Sequence, residues 1–339
     1  MKRLRKGKKC FFVLLFLLLT AVLVNFVSDV LRPAQVTYGS TWSAFRAEPK
    51  DSLDVIYLGS SFAYCDINPS LVYDASGLTG YVMAGGEQPL SITYWYLKEI
   101  FRTQSPSAVV LEGTSLYFKR YQNYTQQNVS QMPFSANKLG AIFTAAEPEL
   151  RTGLLFDLSL YHGRWQEVGR SDLKKAVIPI RKDHYKGYTP VEGVLEGVGQ
   201  TPSEQGRVVS EEDYAASLEW LDKILDLCRE HGAQPIVTFN PSYTRCTKEQ
   251  YGRNAADILA LDSGVLVYNW TDSFEEMGLI PTEHLYDGGH LNREGATVFS
   301  AWLGRFLTDE VGLVPRAQTA ENAAAWEESA AWWREQNGN

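Results

Sequence analysis

Two short stretches near opposite ends of the chain carry residue types that can do chemistry together. Asp54-Val55-Ile56-Tyr57-Leu58-Gly59-Ser60-Ser61 reads as a buried strand that runs into a tight turn and delivers a serine. Asp287-Gly288-Gly289-His290-Leu291-Asn292 places an acid three residues before a histidine, in a glycine loop just ahead of a helix. A serine hydroxyl is a poor nucleophile near neutral pH, so a neutral imidazole must take its proton as the bond to a carbonyl carbon forms. His290 is the candidate base. Asp287 is the carboxylate that would fix the imidazole tautomer and stabilise the imidazolium, the remaining part that acyl transfer through Ser61 requires. Gly288 and Gly289 between them are expected to let both side chains point the same way. Gly59 is expected to let the chain leave the strand sharply, so that the Ser61 N–H faces a developing oxyanion. His162, His184, His231 and His284 are rival bases, but none follows an acid in a comparable loop; Glu87, Glu112 and Glu283 read as solvated or structural.

These blocks resemble those of the SGNH/GDSL hydrolases, and in particular the membrane-anchored bacterial branch that includes D-alanyl-lipoteichoic acid assembly proteins and polysaccharide O-acetyltransferases. The resemblance covers about residues 52–310 and rests on Gly59-Ser60-Ser61 at one end and Asp287-x-x-His290, continuing Leu291-Asn292 and Gly295-Ala296, at the other. It implies Ser61 as nucleophile, with Ser60 where the family commonly has Asp, and a three-layer α/β/α, flavodoxin-like SGNH fold with a parallel sheet. It also implies an oxyanion hole made by the Ser61 N–H, by a glycine of Ala84-Gly85-Gly86-Glu87-Gln88, and by a third block. That third block ends in asparagine in the family, but Gly113-Thr114-Ser115 occupies the place here. Losing one well-placed donor costs roughly 10²- to 10³-fold in rate, so Ser115 or Gln88 is expected to substitute, or the enzyme is slow or specialised.

The elements that must position these groups alternate. Strands are expected near 53–58, 80–84, 107–112, 234–239 and 264–268, with helices over 88–102 and 293–307, which implies a parallel sheet covered on both faces. The clearest helix follows Ser210 as N-cap, with Tyr214, Leu218, Leu221, Leu225 and Cys228 at helical spacing until Gly232 stops it. Active sites in such folds lie at the carboxyl ends of the strands, where Ser61, Gly85, Ser115 and the Asp287 loop all fall.

Location is the second signal. Residues 1–9 carry six Lys or Arg, and 10–27 are apolar apart from Thr20 and Asn25. At ~1.5 Å per residue that stretch is about 27 Å long, enough to cross a bilayer. The basic flank predicts a cytoplasmic N-terminus and an extracytoplasmic domain. No convincing small-x-small site follows, which favours an uncleaved anchor over a signal peptide. The expected organisation is a basic flank 1–9, an anchor 10–27, a stalk 28–50, a catalytic domain 51–312 with an insertion 117–208, and a tail helix 313–339. Taking the six flanking cations from the net charge of −8 leaves −14 on the remainder, which argues against nucleic acid as a partner. Of four cysteines only Cys65, Cys228 and Cys246 lie beyond the anchor, and no metal-ligand spacing or nucleotide-binding motif is present, so neither metal nor cofactor is expected.

The insertion is long and rich in aromatic and polar residues. Its Tyr161-His162-Gly163-Arg164-Trp165 is also similar to a segment of the anchored relatives; with Gln88, the residues His162, Arg164 and Trp165 are candidate sugar-binding groups, ordinary subdomain packing being the other reading. Asn123, Asn128 and Asn269 begin glycosylation triplets. The tail, with Trp326, Trp332 and Trp333, is read as a helix docked on the domain, or as a partner-binding one. Two functions therefore stand against each other. One is a membrane-anchored serine esterase or O-acyltransferase working on acylated envelope glycan or glycolipid; the other is a degenerate relative that binds envelope polymer or scaffolds an integral membrane acyltransferase.

Overall fold

The structure, a computed structural model, describes residues 2–33, 42–119, 122–177, 183–198, 206–244 and 246–336. Five strands, β1 (Val55–Gly59), β2 (Gly80–Ala84), β3 (Ala108–Glu112), β4 (Gln234–Phe239) and β5 (Leu266–Asn269), form one parallel sheet in the order β2-β1-β3-β4-β5. β1 to β3 are buried along their whole length and read as near-continuous apolar runs, as strands covered on both faces must. Their side chains alternate between two cores. Ile56, Leu58, Met83, Val109, Leu111 and Val237 point to one, against α3 (Leu90–Ile100), α4 (Glu211–Glu230) and α5 (Lys248–Leu261). Val55, Tyr57, Val82, Val110 and Ile236 point to the other, against α2 (Pro69–Ser76) and α6 (Arg293–Asp309). The chain is therefore a three-layer α/β/α sandwich, with its strand-order reversal between β1 and β3.

The expected strand and helix positions hold within about two residues, the usual uncertainty of element ends. Ser210 caps α4 by accepting from the Asp213 N–H at 3.0 Å, and Gly232 at φ +68° follows its end. A long N-terminal helix, α1 (Lys2–Leu31), contains a span, Lys8–Leu31, that is long and apolar enough to cross a membrane. The tail forms α7 (Ala320–Gln336), which docks on α2, where the buried Trp326 meets Tyr73, and on the segment at 184–188, where the buried Trp333 donates to His184 O and meets the Tyr188 ring.

Within the stalk expected over 28–50, the described residues at two places are packed on the domain, and residues 34–41 lie outside the described ones. Ser28, Val30 and Leu31 are buried on the domain, and Trp42 and Phe45 enter the core, Trp42 edge-on to Tyr96 at 4.8 Å. Large rings beside a sheet gain more from burial than from exposure, so the chain is folded onto the domain at both of these places. The described residues of the insertion between β3 and β4 form mostly short helices. Its segment 183–198 then straps the β2 edge: the Val82 N–H donates to Lys186 O at 2.9 Å, and the strap continues to Leu195, whose N–H donates to Tyr286 O at 2.9 Å. That strap covers an otherwise open strand edge and brings the insertion beside the histidine loop.

Candidate active site

The serine is placed by the end of β1. Gly59 has φ +144°, and a Cβ there would sit 2.8 Å from the Glu112 Cβ on β3 and 3.2 Å from the Ala63 Cβ. Glycine is thus required for both conformation and space. Ser60 begins a one-turn helix, Ser61–Tyr64, its carbonyl accepting from Ala63 and Tyr64. The Ser61 N–H, in that first turn, has no helical carbonyl to bond.

The histidine is placed by a closed loop. Leu285 and Leu291 form an antiparallel bridge and the Tyr286 N–H donates to His290 O at 2.9 Å, so residues 286–290 loop out between them. Asp287 Oδ1 accepts from the Gly289 and His290 N–H groups at 2.7 and 2.9 Å, which fixes the carboxylate. Neither Gly288 nor Gly289 has positive φ. Their reason is close approach rather than conformational freedom: Gly288 lies against Thr244, and a Cβ on Gly289 would meet the Phe62 ring at 2.9 Å. Asn292 caps α6, accepting from the Gly295 N–H at 2.9 Å while its amide donates to Glu283 O at 2.6 Å.

These two pieces, far apart in sequence, meet. His290 Nε2 is 2.8 Å from Ser61 Oγ, and Nδ1 is 2.9 Å from both Asp287 oxygens. With Nδ1–H donating to the carboxylate, Nε2 is left as the acceptor for the serine proton. Phe62 stacks on the imidazole at 4.8 Å and 16°, and the Arg207 guanidinium lies 5.1 Å over the same phenyl ring. Burial alone would raise the Asp287 carboxyl, but the His290 hydrogen bond and charge and the two N–H donors hold it below the usual carboxylate range. Burial, with Asp66 and Asp287 nearby, drives the Cys65 thiol well above its ordinary value, so this neighbour stays protonated and cannot compete with Ser61.

Two more acids lie behind the serine. Asp66, fully buried, is pushed well above the carboxylate range by burial while accepting from the Leu291 N–H at 3.0 Å and from the Asn240 amide. Glu112, at the end of β3, is pushed up to about 7 by burial against the opposing pull of its Thr114 bonds, Arg207 and His290. Of the two readings offered by sequence, solvated or structural, it is the buried, structural one, because β3 runs beside β1 and Gly59. Of these three acids only Asp287 is held below the usual carboxylate range.

Ser61, His290 and Asp287 open into a cleft of about 420 Å³, whose walls include Gly86, Glu87, Tyr124, Thr189 and Tyr286. Of the two glycine candidates for the oxyanion hole, Gly86 lines this cleft and Gly85 does not; Gly85 packs against Asn128 and Gln88. Glu87 next to it, in the cleft wall, has φ +38°, a conformation that costs energy for a non-glycine residue. Ser115 is fully buried, its hydroxyl without a partner among the described residues, and it lies outside the cleft wall. Gln88 is buried too, its amide donating to Thr93 Oγ1 at 3.0 Å.

The candidate sugar-binding residues of the insertion are not brought to this cleft. Arg164 instead donates from Nη1 to Leu31 O at 2.5 Å, capping the last turn of α1. His162 is exposed and bonds Ser159 O, and Trp165 is exposed nearby. The rival histidines are engaged elsewhere: His231 stacks on Phe101, and His284 accepts from the Ile280 N–H. His184 does meet a serine, Ser329, at 3.2 Å, beside a larger cavity of about 600 Å³ under α7. Ser329 is 1% exposed and, among the described residues, no carboxylate bonds the other His184 nitrogen, so that pair lacks an activated nucleophile.

Sequence reasoning missed Tyr124 and Asn128, both on the helix Gln122–Ser130 of the insertion. The buried Asn128 amide donates to Gly86 O at 3.1 Å and so ties down the glycine turn. Only its glycosylation triplet was visible in sequence, and its burial removes it as an acceptor in the folded chain; Asn123 lies on the same helix. Cys65, Cys228 and Cys246 are buried free thiols. Among the described residues no cluster of metal-ligating side chains occurs. No protein-family model matches the chain, and no curated protein matches it significantly.

Proposed function

We propose that this chain is a serine esterase or O-acyltransferase of the SGNH/GDSL type, acting through an acyl-Ser61 intermediate. The observation that carries the reading is the single imidazole spanning Ser61 Oγ at 2.8 Å and the Asp287 carboxylate at 2.9 Å, in an open cleft. As Ser61 Oγ bonds to an ester carbonyl carbon, His290 Nε2 takes its proton and Asp287 stabilises the imidazolium. The carbonyl oxygen, now an anion, faces the Ser61 and Gly86 backbone N–H groups. Collapse breaks the ester C–O bond, and the departing alkoxide takes the proton back from His290. Water, or the hydroxyl of an acceptor, then repeats the sequence to release the acyl group. These steps use the chain's own groups alone.

α1 as an uncleaved single-pass anchor, with its basic end in the cytoplasm, would place the domain outside a bacterial cell membrane. Acylated envelope glycan or glycolipid is then the substrate class, with an integral membrane acyltransferase as a possible donor partner. The resemblance of Ser61, Asp287 and His290 to the family's blocks supports this class.

The test is covalent. The full chain in detergent should be labelled by a fluorophosphonate at Ser61, and both Ser61→Ala and His290→Ala should abolish labelling, since only an activated serine attacks such a phosphorus centre appreciably. The buried, unpartnered Ser115 favours the second reading, a polymer-binding or scaffolding protein without chemistry. That reading stands if a correctly folded chain remains unlabelled.

A further inference from the structure

We propose that the insertion carries a second membrane-contacting surface, formed by Phe156, Trp165, Leu173 and Val177 beside the end of α1, which seats the domain on the lipid headgroup region. The proposal rests on the reading of α1 as a membrane-spanning helix.

The short helices Asp157–Tyr161, His162–Gln166 and Arg170–Val177 pack on α1. They close on its last turn, where Ser28, Val30 and Leu31 are buried. Arg164 fastens them there: besides capping Leu31 O it pairs with Glu167 at 3.3 Å and with the nearly buried Asp172 at 3.7 Å. The apolar span of α1 therefore ends against packed helices. It enters a collar of insertion helices within about one turn of its apolar end, roughly 5 Å of rise.

That collar exposes four large apolar side chains among polar ones such as Gln166 and Glu167. Phe156 is 64% exposed, Trp165 67%, Leu173 48% and Val177 68%. Leu173 and Val177 are one turn apart on their helix, and the exposed Arg170 and Lys174, also one turn apart, flank them. An apolar stripe bordered by basic side chains, with an exposed tryptophan, is the pattern of a helix lying in a membrane interface: the apolar groups enter the acyl boundary while the cations meet lipid phosphates. Continuity with the spanning helix selects the bilayer as the occupant, because any surface rigidly fixed at the end of such a helix is held at headgroup depth.

The test uses the full chain, one copy per nanodisc, in phosphatidylcholine with a minority of phosphatidylglycerol. In a Cys10→Ser background, single cysteines replacing Phe156, Leu173 or Val177 carry an environment-sensitive fluorophore. Leu17→Cys reports on α1, and Val208→Cys, at a site 97% exposed, reports on water. Labels at 156, 173 and 177 should be quenched by a spin-labelled lipid with its nitroxide near the headgroup. Iodide should quench them at least about threefold less than the label at 208. If 17 reads lipid while 156, 173 and 177 read iodide as 208 does, the surface is wrong and the anchor stands. If 17 itself reads water, the anchor reading and this proposal fall together. Shielding of 156, 173 and 177 from both quenchers would mean that protein covers them, which also overturns the proposal.

Discussion

Replacing Asp287 with asparagine probes the proposed chemistry with little disturbance of the loop. Asp287 Oδ1 holds the Gly289 and His290 N–H groups at 2.7 and 2.9 Å, and an asparagine oxygen can keep both bonds. What changes is the contact with His290 Nδ1, 2.9 Å from both carboxylate oxygens. Two unit charges about 4 Å apart attract by about 4 kcal/mol at an effective dielectric of ~20. The side chains are 24% and 34% exposed, and solvent screening takes this toward about 3 kcal/mol, or roughly 10²-fold in rate. The asparagine NH₂ also favours the tautomer with the proton on Nε2, which then points a donor at Ser61 Oγ and removes the base. In serine triads this brings the total loss to roughly 10⁴-fold. The expected outcome for Asp287→Asn is therefore a 10²- to 10⁴-fold slower second-order labelling by a fluorophosphonate, with far-UV circular dichroism unchanged. A loss under about tenfold in a variant that still labels at Ser61 would refute the claim that Asp287 orients and charges the base.

Three further outcomes follow from the same geometry. Ser115→Ala should label within about threefold of the parent, because its buried hydroxyl has no partner and lies off the cleft; a drop of ~10²-fold or more would make it an oxyanion donor after all. Asn128→Ala removes the amide that ties the Gly86 carbonyl, and losing about 1–2 kcal/mol of positioning should lower kcat for an aryl acetate roughly 5- to 30-fold while KM holds; an unchanged kcat would deny it that role. Glu112 is raised from 4.5 to about 7 in the folded chain, so the native state binds its proton more tightly than the unfolded state does. Its contribution is fully present below about pH 4.5 and is lost as pH rises through about 7, amounting to about 3 kcal/mol. Urea unfolding from pH 5 to 8 should therefore show stability falling with pH, with that slope flattened in Glu112→Gln; identical slopes in both would show that Glu112 is not the group responsible.

Much of this protein is written in local sequence. The strands were legible because apolar runs such as Val55-Ile56-Tyr57-Leu58 and Val109-Val110-Leu111 are what a doubly covered parallel strand needs. α4 was legible because a cap, a periodic apolar face and a terminating glycine all agree over one stretch. Ser61, Asp287 and His290 were legible because each sits in a local context, a strand end or a pre-helix loop, that already limits where its side chain can point. The apolar length of the N-terminal helix needed no fold at all.

Long-range packing decided the rest. No spacing could reveal that Asn128 reaches Gly86, that Ser115 is buried outside the cleft wall, or that Arg164 caps α1 instead of meeting a sugar, since each depends on where an insertion of many residues comes back to the sheet. Sequence alone left Glu112 as either a solvated or a structural carboxylate. It became a buried acid raised to about 7 only because β1 and β3 pair side by side and the Gly59 turn closes over it. Sequence fixes what a residue can donate, accept or ionise, whereas desolvation and partner geometry, which set whether it does, are properties of neighbours that only the folded chain supplies.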